Sequence, residues 1–129
     1  MTLANGREPY AGPVVLITDA VCYSAADIFA AGFQDNGLGT ILGTDGHTGA
    51  GGANVWTHDL LRMWLPDDLE ALPGRATFRV ALRRVTRTGP RMGIPLEDLG
   101  VEPDTVHRLS LEDITSHNEN LVAAAARHL

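Results

Sequence analysis

Ser24 stands where an apolar run gives way to a helical pattern, and a hydroxyl there can act in two ways. It can cap the helix, since Ser24 with Asp27 three residues on makes a capping-box-like pair. It can also be a nucleophile, because a helix N-terminus presents unpaired N–H groups and a positive dipole end that suit an oxyanion. The surrounding residues do not form the Gly-x-Ser-x-Gly elbow of the α/β-hydrolases. A nucleophilic serine needs a base, and His47 is the local candidate, in the glycine-rich loop Gly43-Thr-Asp-Gly-His-Thr-Gly-Ala-Gly-Gly. That loop permits close backbone approach to a ligand. Its spacing matches neither Gly-x-Gly-x-x-Gly nor the Walker form, and the Walker lysine is missing, which argues against a nucleotide.

The other chemistry-bearing residues are less organised. His58, His107, His117 and His128 fall at strand ends, in loops or at a helix end and read as solvated. No pair has His-x-x-x-His spacing and there is a single cysteine, so no metal and no cofactor is expected. Cys22 excludes an internal disulfide and reads as a small buried thiol. Arg79, Arg83, Arg84, Arg87 and Arg91 form either a solvated strand face or a basic patch for a carboxylate-terminated peptide.

The elements that must position Ser24 follow from periodicity. Residues 14–17 form a continuous aliphatic run, as in a strand covered on both faces. After Ser24, Ala25, Ile28, Phe29, Gly32 and Phe33 fall on one helical face, and Asn36-Gly37 supplies a stop. Thr40-Ile-Leu reads as a short buried strand. Asn54-Val-Trp-Thr-His reads as a strand, and residues 59–65 as a helical turn. Phe78, Val80 and Leu82 alternate with Arg79, Ala81 and Arg83, as in a strand with one apolar and one basic face. Ser110 with Asp113 can cap a helical turn, and a terminal helix starts near Asn118 or Asn120. Residues 1–11 read as a polar arm or loop.

With 129 residues, 44% hydrophobic and 20% charged, the chain is one globular domain. Its net charge of −6 argues against nucleic acid as the main partner. All ten basic residues are arginine. No membrane span or signal peptide is visible.

Three stretches resemble peptidase family S41, the tail-specific or C-terminal processing proteases. Gly12-Pro-Val-Val-Leu-Ile-Thr-Asp-Ala-Val-Cys-Tyr-Ser-Ala-Ala-Asp-Ile-Phe-Ala resembles the family's nucleophile segment, an apolar strand leading into Ser-Ala-x-Glu/Asp-x-Phe-Ala. Thr48-Gly49-Ala50-Gly51-Gly52 is similar to its glycine-rich loop. Gly93-Ile-Pro-Leu-Glu-Asp-Leu-Gly-Val-Glu-Pro-Asp104 resembles its closing Glu-x-x-Gly-Val-x-Pro-Asp motif. The three occur in the family's order.

The resemblance implies an α/β fold of the ClpP/crotonase-like type, stacked β-β-α units, of which this chain holds the C-terminal part, with residues 12–129 as core. It implies peptide-bond hydrolysis through a Ser24 acyl-enzyme, with the Ala25 N–H as oxyanion donor and Glu97 orienting the serine system. Residues 48–52 would flank the peptide cleft. Many members take a loop lysine as base; its place is Ala50 here. That departure is similar to the tricorn-like and retinoid-binding-protein-like branch, whose base is a histidine earlier in the chain. The expectation is therefore an incomplete, inactive site in the isolated chain, with a missing N-terminal part as partner and self-association through half-domain surfaces. A non-catalytic module binding peptides or hydrophobic ligands, or a self-associating structural fragment, stays as the alternative.

Overall fold

The computed structural model describes residues 10–51 and 53–129. The chain is mixed α/β. Strand β1 (Val15–Thr18) leads through a tight turn into helix α1 (Ala25–Asp35) and then strand β2 (Thr40–Gly43). Strand β3 (Ala53–Thr57) and helix α2 (His58–Trp64) precede strand β4 (Arg79–Arg83). Strand β5 (Thr105–Val106) and helices α3 (Leu111–Thr115) and α4 (Glu119–Ala126) complete the order. Of the expected arm, residues 1–9 lie outside the described residues; Tyr10 and Ala11 are exposed.

β1, β2 and β5 form a parallel sheet in the order β1-β2-β5, with Leu16 opposite Ile41 and Leu42 opposite Thr105. β2 is central, and Ile41 and Leu42 are buried. Full burial of such a side chain stabilises by roughly 1.5–3 kcal/mol. Strand alternation sends these two residues to opposite faces. On one face Ile41 packs with Ala30, Ala31, Phe33, Leu96 and Val101, flanked by Leu16 and Val85. On the other, Leu42 packs with Leu121 and Ala124 of α4, flanked by Val15.

Two expectations change here. β1 is covered at Val15 and Leu16, but it is a sheet edge, and Ile17 stays 42% exposed. The inner face of α1 is Asp27, Ala30, Ala31 and Phe33, whereas Ile28 and Phe29 are exposed. The small side chains let the helix lie close to the sheet, and the larger pair faces away from it.

β3 and β4 pair antiparallel in a separate ribbon, Val55 opposite Ala81 and Trp56 opposite Val80. Every β4 residue is exposed, so the expected apolar face at Phe78, Val80 and Leu82 is only partly covered. A bridge between Thr86 and Pro95, and Leu96 N–H to Val85 C=O at 2.9 Å, carry the chain back to the main core. Among the described residues, no helix is long and apolar enough to cross a membrane.

Candidate active site

Ser24 is the residue before α1, with φ 58° and ψ −120°. A left-handed φ at a residue bearing a side chain is strained by an amount on the order of 1–3 kcal/mol, and such strain clusters at functional sites. The turn is held from within and from outside: the Val21 amide donates to Asp19 Oδ1 at 3.0 Å and the Cys22 amide to the Asp19 carbonyl at 3.2 Å, while the Ala20 amide donates to Asp45 Oδ2 at 3.2 Å.

Of the two readings of Ser24, the cap is not made. A capping serine has extended backbone, which points its oxygen at the N2 and N3 amides; the Ser24 backbone is not extended. Its hydroxyl is half-buried and uncommitted to the helix, while the first-turn amides, Ala25 among them, have no acceptor within α1.

The glycine-rich loop lies directly against this turn. The Gly49 amide donates to the Cys22 carbonyl at 2.9 Å. A Cβ on Gly51 would come within 2.6 Å of Ser24 N, and one on Gly49 within 2.4 Å of the Ala20 carbonyl. Only glycine permits that approach. Ala50 between them has φ 57°. Gly52 lies outside the described residues.

Thr48 joins three parts of the chain. Its amide donates to the Val101 carbonyl at 3.0 Å, and its Oγ1 accepts the Val101 amide at 2.7 Å and donates to Asp27 Oδ1. Gly100, with φ 65°, brings its backbone so close that a Cβ would meet the Thr48 carbonyl at 2.7 Å. The nucleophile segment, the glycine-rich loop and the closing motif thus meet at one hydroxyl. Asp27 is fully buried, and its Oδ2 has no partner among the described residues. Burial pushes its carboxyl up, against the Thr48 hydrogen bond and the Arg87 charge. Sequence reasoning took Asp27 for a cap. The signal for another role is its place in the Ser-Ala-x-Glu/Asp motif.

Glu97 is half-buried, and both its oxygens accept the Val85 amide, at 2.7 and 2.9 Å. Its charge also raises the Asp27 carboxyl. His47 is exposed and lines a cavity of about 530 Å³ with Gln34, Arg91, Leu99 and Gly100; Ser24 is not among the lining residues. Among the described residues, no histidine is hydrogen-bonded to Ser24 Oγ.

The remaining candidates are corrected by their surroundings. His58 is buried, its ring 5.1 Å from that of Phe78. His107 is half-buried with Nε2 2.9 Å from Asp113 Oδ2. Neither is a solvated side chain. Ser110 Oγ donates to Asp113 at 2.9 Å, not to His107, so this group is a cap and not a nucleophile–base pair. Arg87 leaves the basic patch: its guanidinium is buried and grips Asp35 at 2.6 and 2.9 Å, with Gln34 Oε1 at 2.9 Å. Cys22 is half-buried, and burial pushes its thiol up. Among the described residues, no group of three or more His, Cys, Asp or Glu could hold a metal ion.

The family model for peptidase family S41 matches residues 2–107, so the three motifs fall inside the match and α3 and α4 beyond it. No curated protein and no solved structure matches the chain.

Proposed function

This chain belongs to peptidase family S41, and from that premise we propose that it carries the nucleophile end of a serine peptidase site. Ser24 Oγ attacks the peptide carbonyl, the proton passes to a base, and the leaving amine takes that proton as the acyl-enzyme forms. Water then releases the acyl group. The Ala25 N–H receives the oxyanion, a contribution of about 2.7–4 kcal/mol per donor. Residues 48–52 flank the peptide cleft, and Glu97 orients the serine system. The base is a histidine on a part of the protease outside this chain, with His47 as the candidate within it. The wider fold is of the ClpP/crotonase-like type, with residues 12–129 as the core of one partial domain.

The observation that carries this reading is the strained, uncapped Ser24 at a helix N-terminus with Gly51 against its backbone. A structural serine in the same place would relax into an extended cap. The test is phosphonylation by a fluorophosphonate, with displacement of fluoride, measured with and without the N-terminal part of the protease that would supply the base, read as a mass increase on Ser24 and absent in Ser24→Ala. Peptide turnover by the chain alone is expected to be negligible, since positioned general-base help is worth about 10²–10⁴-fold. Turnover lost in Ser24→Ala would place the base within the chain and make His47→Ala the next variant.

A second reading is a non-catalytic peptide- or hydrophobic-ligand-binding module, favoured by the lack of any histidine bonded to Ser24 among the described residues. Absence of phosphonylation even when the N-terminal part of the protease is supplied would favour it. In either case self-association is expected: Ile28 and Phe29 are exposed, and among the described residues β1 has a strand on one side only. A strict monomer by sedimentation from micromolar to near-millimolar concentration would refute that expectation.

A further inference from the structure

Asp27 is fully buried one helical turn after Ser24, yet among the described residues only one of its oxygens has a partner. An ionised carboxylate needs both oxygens satisfied when removed from water, and a neutral carboxyl needs less. The charged or titratable groups that act on it are Arg87, Glu97 and Cys22. Arg87 favours the ionised form, but its guanidinium is already committed to Asp35 and Gln34, while Glu97 and burial oppose ionisation.

The bonded oxygen reaches across 21 residues to Thr48, whose hydroxyl in turn accepts the Val101 amide. Thr48 opens the stretch that includes Gly49, bonded to Cys22, and Gly51, packed on Ser24 N. Displacing Thr48 would therefore move both walls of the Ser24 turn.

We propose that Asp27 is a positioning residue: its buried carboxyl anchors Thr48, and through Thr48 it ties the glycine-rich loop to Val101 and holds that loop against the Ser24 backbone. Its consequence for acylation rests on Ser24 being the nucleophile; the anchoring itself does not.

The experiment combines three measurements on the full chain. The ¹³C signal of the Asp27 carboxyl is titrated, and it should protonate at higher pH than an ordinary aspartate. Amide exchange is followed at Gly49 and Val101 in Thr48→Val, where about tenfold faster exchange at Val101 is expected, and in Thr48→Ser, which should restore protection. Fluorophosphonate labelling of Ser24 should slow about tenfold in Thr48→Val, recover in Thr48→Ser, and stay within about twofold in Asp27→Asn, which mimics the neutral acid. Melting curves for the conservative pair, Thr48→Ser and Asp27→Asn, check that the fold is kept. Unchanged Val101 and Gly49 exchange in Thr48→Val, or an Asp27 carboxyl that titrates like an exposed aspartate, overturns the proposal. If wild-type Ser24 is never labelled in the chain alone, the titration and exchange still decide the anchoring role.

Discussion

Ser110 and Asp113 cap α3 reciprocally: the Asp113 amide donates to Ser110 Oγ at 3.1 Å, and the Ser110 amide donates to Asp113 Oδ2 at 2.9 Å. Ser24 and Asp27 have the same residue types at the same spacing and make no such pair. The difference is in the backbone. Ser110 is extended at φ −92°, ψ 167°, so its hydroxyl lies over the third amide of the helix; Ser24 is at φ 58°, ψ −120°. Asp27 then turns inward to Thr48.

The two serines should therefore respond differently to truncation. Ser110→Ala should cost about 1 kcal/mol through the lost cap. Ser24→Ala should change stability by less than about 0.5 kcal/mol, and Ser24→Gly should stabilise by about 1 kcal/mol by relieving the left-handed strain. Urea unfolding of the three variants measures this. Equal losses for the two alanine variants would show that Ser24 caps α1 in solution.

Arg87 and Asp35 are both buried, and the guanidinium beside Asp35 holds its carboxyl below the usual range. Arg87→Ala leaves a buried carboxylate without its charge partner and should destabilise by about 3–5 kcal/mol. Arg87→Lys keeps the charge but not the two-pronged geometry, and should fall between. The urea midpoint at constant slope reads both. A loss under about 1 kcal/mol, the value of a surface pair, would count against it.

Glycines of one loop should differ sharply. Gly51→Ala drives a Cβ into Ser24 N and should cost about 1–3 kcal/mol, with slower acylation of Ser24. Gly46→Ala meets nothing within 4 Å and should be close to neutral. Thermal unfolding and labelling rates separate them. A silent Gly51→Ala would mean that the loop does not press on the Ser24 turn.

Acid should act through Asp113. Hydrogen bonds from the Ser110 amide, the His107 ring, the Ser110 hydroxyl and the Leu121 amide hold its carboxyl well below the usual range, against the effect of burial. Its folded pKa lies below the unfolded value of about 3.9. The stabilisation is thus complete above that pH and is lost as pH falls through and below it. Melting temperatures followed from neutral pH down through about pH 3 should fall more steeply in wild type than in Asp113→Asn, which starts lower. Parallel acid limbs would exclude Asp113 as a source of the acid sensitivity.

The local parts of this protein are legible in its amino-acid sequence. The Asn36-Gly37 stop and the Ser110–Asp113 cap rest on contacts within a few residues, which capping chemistry reads directly, and the apolar runs that became β1 and β2 show in the composition of the chain. Family membership was also legible, because its three motifs are local strings. Only the tertiary structure decided which face of α1 turned inward. Two faces of that helix are apolar, and the smaller side chains at Ala30 and Ala31 won because they allow closer approach to Ile41. It likewise decided that Asp27 serves Thr48, that Glu97 receives the Val85 amide, and that Arg87 leaves the surface for Asp35. These partners lie 21, 12 and 52 residues apart. A buried polar group must find its partner wherever the folded chain brings one, and no local pattern announces which distant residue that will be.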